Sequence, residues 1–103
     1  MIIASLCDRG RPPSEAVVGG FQDYWGAKMP LVRAQCLRAF GLLRSDPGSL
    51  SAAADLYTSI GEVPGAARAR YELGRLTNDA ALMAAATEVF ERLGDLEYIE
   101  RHP

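Results

Sequence analysis

The chain has 103 residues, 49% of them hydrophobic, and a formal net charge of −2. That suffices for one small domain with one core, is too apolar for wholesale disorder, and lacks the basic excess that direct nucleic-acid binding requires. Two cysteines, Cys7 and Cys36, and one histidine, His102, fall short of a four-ligand structural zinc site.

Met1 to Cys7 is apolar but stops at Asp8-Arg9, too short for a signal-peptide core and far too short to cross a bilayer. Gly10-Arg11-Pro12-Pro13 breaks regular structure. Residues 1–13 therefore read as an N-terminal tag, either packed on the body, disordered, or left from a longer ancestral protein, and residues 14–103 as the domain. Ser14 caps a first helix running to about Ala27, with Glu15 well placed in its first turn. Val17, Val18, Phe21, Tyr24 and Trp25 form one apolar stripe at spacings of three, four and seven. Gly19-Gly20 weakens that helix by about 1 kcal/mol per glycine, unless a neighbour needs close approach.

Pro30 opens a second helix through Arg44, with Leu31, Ala34, Leu37, Phe40 and Gly41 inward. Asp46 and Pro47 supply the N-cap and first residue of a third, to about Ile60, facing inward through Leu50, Ala53, Ala54, Tyr57 and Ile60. Gly61 stops it and Pro64 restarts a fourth helix through Leu76, in which Ala66, Ala69, Leu73 and Leu76 alternate with Arg68, Glu72 and Arg75. Thr77-Asn78 caps a fifth, to Leu93, with Leu82, Ala86, Val89, Phe90 and Leu93 as its stripe. Gly94 ends it, and Asp95 starts a short sixth carrying Leu96 and Ile99. Period-two alternation is absent, so the fold expected is all-α, with about six helices and connections short enough to force antiparallel neighbours.

Within this pattern two stretches overlay on each other without a gap. Gly41 falls on Gly74, Leu43 on Leu76, Asp46 on Asp79, Ala52-Ala53 on Ala85-Ala86, and Tyr57 on Phe90. Ile60-Gly61-Glu62-Val63 falls on Leu93-Gly94-Asp95-Leu96. A period of this length marks helix pairs that bury their apolar faces by stacking on neighbours.

On these residues the chain resembles a tetratricopeptide-type repeat. Phe40-Gly41 and Leu73-Gly74 take the family's large-then-small pair in the first helix of a unit. Ala53, Tyr57 and Ile60, then Ala86, Phe90 and Leu93, take the second-helix signature, and Gly20, Tyr24 and Ala27 repeat its phase one unit earlier. The resemblance implies an α-solenoid fragment of antiparallel helix-pair repeats, with units at about 34–66 and 67–99 and a half-unit at 14–29. It departs at Arg70, where Leu37 keeps an aliphatic residue, at Arg44 and Thr77 in place of a late aromatic, and near Tyr98, where a proline is missing. A narrower similarity runs through Trp25 to Ala34 and Ile60 to Arg70, to the helical-repeat tails of bacterial regulators that join an ATPase core to an adenylate-cyclase-like or LuxR-type DNA-binding domain. This chain contains no Gly-x-x-x-x-Gly-Lys-Ser/Thr phosphate loop.

In the family's phase, Gln35, Arg38 and Leu42 line a concave groove, as do Arg68, Tyr71, Arg75 and Asn78 one unit on. Arg38, Arg68 and Arg75 would donate to an acidic peptide or a free carboxylate, with Tyr71 as a flat apolar contact. The plainer alternative is a solvated face held by an i,i+4 Arg68–Glu72 pair. The aromatic stripe of the first helix reads as core, and the open ends of so short a stack favour self-association or docking on a partner.

Catalysis finds no support. Asp46 and Asp79 are equivalent helix-start residues, Glu62 and Asp95 equivalent turn residues, and the lone histidine lies at the terminus. The helices carry mixed charge and no basic face for a membrane surface. The expectation is a non-enzymatic, cytoplasmic protein–protein interaction module without metal or cofactor, the alternative being an orphan tail or subunit of one of those bacterial regulators.

Overall fold

The computed structural model describes residues 14–23 and 28–94. Among these the fold is all-helical: α1 (Glu15–Phe21), α2 (Pro30–Arg44), α3 (Pro47–Ser59), α4 (Val63–Thr77) and α5 (Ala80–Leu93), each packed on its neighbour in sequence. The expected continuation of the first helix through Tyr24 and Trp25 to Ala27, the sixth helix and the tag lie outside the described residues.

Local chemistry sets each boundary. The Ser14 hydroxyl accepts from the Val17 N–H and starts α1. Asp46 accepts from the Gly48 N–H and from the Ser49 hydroxyl, and Asp79 accepts from the Leu82 N–H, so each carboxylate satisfies donors that a helix start leaves bare. Pro30 and Pro47 sit where the missing N–H costs nothing. Asn78 does not cap α5 as expected. It closes α4 in the left-handed region, at φ 56°, a conformation its short amide side chain tolerates, and the cap passes to Asp79.

Every turn of α2–α3 has a counterpart at the equivalent position of α4–α5. Among the described residues, Ser45 and Asn78 are the two non-glycine residues with positive φ, and Gly61 and Gly94 follow at φ 76° and 72°. The Gly41 carbonyl accepts from the Asp46 N–H at 2.9 Å, and the Gly74 carbonyl accepts from the Asp79 N–H at 2.8 Å. A Cβ on Gly41 would lie 2.5 Å from Leu50 Cγ, and one on Gly74 2.6 Å from Met83 Cγ, so both crossings depend on a residue without a side chain.

The core forms three consecutive clusters. Val18 meets Val32, Cys36, Ala39 and Phe40 between α1 and α2. Ala34, Ala53, Ala54, Tyr57, Ala66 and Ala69 join α2, α3 and α4, where the alanines let the backbones approach and the Tyr57 ring fills the remaining space against Gly65. Ala67, Tyr71, Ala86 and Phe90 close α4 on α5. Five residues expected on the apolar faces are instead substantially exposed: Val17, Leu31, Ile60, Leu76 and Leu93. Val17 stands in the first turn of α1. Each of the other four lies in the first or last turn of its helix or at its cap, beyond the crossing that buries the middle.

Candidate interaction surface

The seven residues expected to line a groove divide between interior and rim. Gln35, Arg38 and Tyr71 are buried, Arg68 is half-buried, and Arg75 and Asn78 are exposed. Leu42 packs, partly buried, against the α1–α2 cluster.

Arg38 departs furthest from expectation. Only 1% of it is exposed, and its Nε and Nη2 donate to Glu72 Oε1 and Oε2, each at 2.7 Å. Glu72 is itself 7% exposed. The planar guanidinium matches both carboxylate oxygens at once, a geometry lysine could not reproduce. An arginine so engaged is not a ready donor for a ligand, which corrects the role expected of it. The solvated-face alternative fails at the same place, since Glu72 is buried and ties α4 to α2.

Tyr71 is likewise core. Its ring stands edge-on to Phe90, with centroids 5.9 Å apart and planes at 66°, a favourable aromatic arrangement and not a flat outward surface. Gln35 Oε1 is a buried acceptor that meets no hydrogen-bond donor among the described residues. What remains accessible is a rim on α4 and its cap: Arg75, Asn78 and the outer part of Arg68. Asn78 is held by its left-handed conformation, and Arg75 projects from the last turn of α4.

The Arg38–Glu72 pair is what the sequence pattern missed. One signal was available: the offset that sets Gly41 on Gly74 also sets Arg38 on Tyr71 and Ala39 on Glu72. An arginine sharing a phase with an aromatic, and a glutamate sharing one with an alanine, mark interior positions.

Arg44, Asp46 and Cys36 have structural explanations. Arg44 stacks over the Phe40 ring, 4.3 Å from its centroid, and donates to Glu15, so it fastens α1 at the surface. The Ser49 hydroxyl above all, with the Gly48 and Ser49 N–H groups and nearby Arg44, holds the Asp46 carboxyl below its ordinary pKa against the opposing effect of desolvation. Cys36 is a buried free thiol that donates to the Val18 carbonyl at 3.8 Å, and burial raises its pKa, so it rests protonated. Among the described residues no group of three His, Cys, Asp or Glu could hold a metal ion, and no helix is long and apolar enough to cross a membrane.

No protein-family model, curated protein or solved structure matches the chain.

Proposed function

We propose that this chain is a non-catalytic protein–protein interaction module, built from two tetratricopeptide-like helix pairs preceded by a half-unit, in a cytosolic regulatory or scaffolding setting. The observation that carries this reading is the recurrence of turn geometry from one helix pair to the next. Left-handed caps pair at Ser45 and Asn78, aspartate N-caps at Asp46 and Asp79, and glycine crossings at Gly41 and Gly74. Helix pairs of this kind bury their apolar faces by stacking, and the surfaces they leave serve recognition by shape and charge.

The partner is an acidic peptide or helix. Arg75 is the principal donor, Arg68 contributes its outer part, and Asn78 offers an amide at the rim. Arg38 and Glu72 fix the spacing of α2 and α4 beneath. Shape-selected docking of this kind requires no bond making.

Fluorescence anisotropy with labelled acidic, neutral and basic peptides tests the proposal, using wild type beside Arg75→Glu. The expected result is saturable binding of acidic peptides that weakens with added salt and at least tenfold in the variant. Equal affinity for all three peptide classes, or an Arg75→Glu variant that binds as wild type does, would refute it.

A further inference from the structure

We infer that the acidic helix fitting the basic rim of α4 is α5 of a second copy of this chain, so that copies associate through unlike faces. The inference rests on the rim proposed above and names its occupant. Charge in this fold is divided by helix. The first helices of the two pairs, α2 and α4, carry Arg33, Arg38, Arg44, Arg68, Arg70 and Arg75 against one acid, Glu72, which Arg38 engages in the interior. The second helices, α3 and α5 with their N-caps, carry Asp46, Asp55, Asp79, Glu88 and Glu91 against one base, Arg92. A formal net charge of −2 therefore hides a strong segregation of sign.

The accessible members of each set lie at helical spacing. Exposed Arg75 and half-buried Arg68 are seven residues apart on α4, about 10.5 Å along its axis and within about 20° around it. On α5, Ala81, Ala84, Ala85, Glu88 and Glu91 are all exposed and share one face, with the two carboxylates about 4.5 Å apart along the axis. The small side chains let a neighbouring helix approach, and the carboxylates then come within reach of the two long arginines. The offset that sets Gly41 on Gly74 also sets Asp55 on Glu88, and Asp55 is likewise exposed, so the outward face of the second helix is acidic in both pairs. Of the two, α5 is the stronger ligand. It adds Glu91 where α3 has Thr58, whose hydroxyl accepts from Arg70 at 2.8 Å. Rim and acidic face are different surfaces of one chain, so each copy offers one of them to the next and the contact propagates as a heterologous assembly.

Sedimentation velocity of the full-length chain over a concentration series reads this assembly, with Arg75→Glu and Glu88→Arg/Glu91→Arg as variants at exposed positions. Wild type should grow beyond the mass of two chains as concentration rises and shrink with added salt. Each variant alone should associate at least tenfold more weakly. Mixed in equal amounts, the two should form a complex of one chain of each, because each keeps the surface that the other has lost. A wild type that holds monomer mass at every concentration would overturn the inference, as would a mixture no heavier than its separate variants. The rim and its occupant fail separately: acidic peptides that bind a wild type of monomer mass keep the rim and sink the self-association.

Discussion

Removing the Glu72 carboxylate is the sharpest perturbation this fold offers. Arg38 is 1% exposed and donates to both Glu72 oxygens at 2.7 Å, so Glu72→Ala takes both carboxylate acceptors away from a guanidinium in the interior. Breaking a buried pair from one side costs about 3–5 kcal/mol, because the remaining charge loses its countercharge without regaining water. A domain of this size has roughly 5–15 kcal/mol of total stability, so the variant should lose between about a fifth and all of it and can unfold outright at 37 °C. Replacing both partners with apolar residues of similar volume, Arg38→Met/Glu72→Leu, removes the desolvation cost along with the attraction and should leave stability within about 1 kcal/mol of wild type, or above it. Urea unfolding followed by circular dichroism at 222 nm reads both variants together with Arg38→Met and Glu72→Leu, the two single variants that complete the double-mutant cycle. The coupling should barely change between low and high salt, as befits a pair shielded from the solvent. A Glu72→Ala loss below about 1 kcal/mol, the range of solvated pairs, would refute the burial.

Phe90→Ala should cost about 3–5 kcal/mol, since the ring is 0% exposed and closes the α4–α5 cluster; a thermal melt matching wild type would remove it from the core. Gly41→Ala should destabilise by about 1–3 kcal/mol, because its Cβ would meet the branched Leu50 Cγ at 2.5 Å. Gly74→Ala should cost less, as the facing Met83 is unbranched and can move aside, and urea midpoints of the two variants give the order. Asp46 has a depressed folded pKa, so its charge stabilises the fold above the ordinary carboxylate pKa, and that contribution fades as pH falls through the folded value. Melting temperatures of wild type and Asp46→Asn, compared from pH 7 to pH 2.5, should therefore converge only at the acid end; a gap that holds constant throughout would assign no such role to the carboxylate.

Element boundaries were legible because their determinants are local. Pro30, Asp46, Pro47, Gly61 and Gly94 each act within a few residues of the turn they make, and the helices start or stop there. The Asn78-Asp79 junction was misread by one residue, since an asparagine serves a helix end as readily as a helix start and periodicity does not distinguish them. The inward faces were legible at the middle of each helix, at Ala53, Tyr57, Ala86 and Phe90, and not at the ends, where Leu31, Ile60, Leu76 and Leu93 keep the period of a stripe but extend beyond the neighbouring helix.

The candidate surface was less legible, for a different reason. Charge at helical spacing ordinarily means solvent, and the partner that buries Arg38 is Glu72, on another helix. A pattern within one helix cannot reveal it. Only the comparison of equivalent positions in the two helix pairs, with Arg38 on Tyr71, carries that information. Arg75 and Asn78, at the last turn and cap of α4, remained on the surface as expected.

The proposed interaction module depends on α2–α3 and α4–α5 being one unit written twice, and a chain with an added unit tests this most directly. A second copy of residues 46–78 inserted after Asn78 adds one 13-residue and one 15-residue helix. Tyr71→Arg in the upstream copy supplies the partner that the added Glu72 requires. Circular dichroism of the extended chain should show helix content raised in proportion to its length and a single urea transition at a midpoint no lower than wild type, as stacked units reinforce their neighbours. A broad, non-cooperative transition with no gain in helix would contradict the repeat and the interaction module built on it.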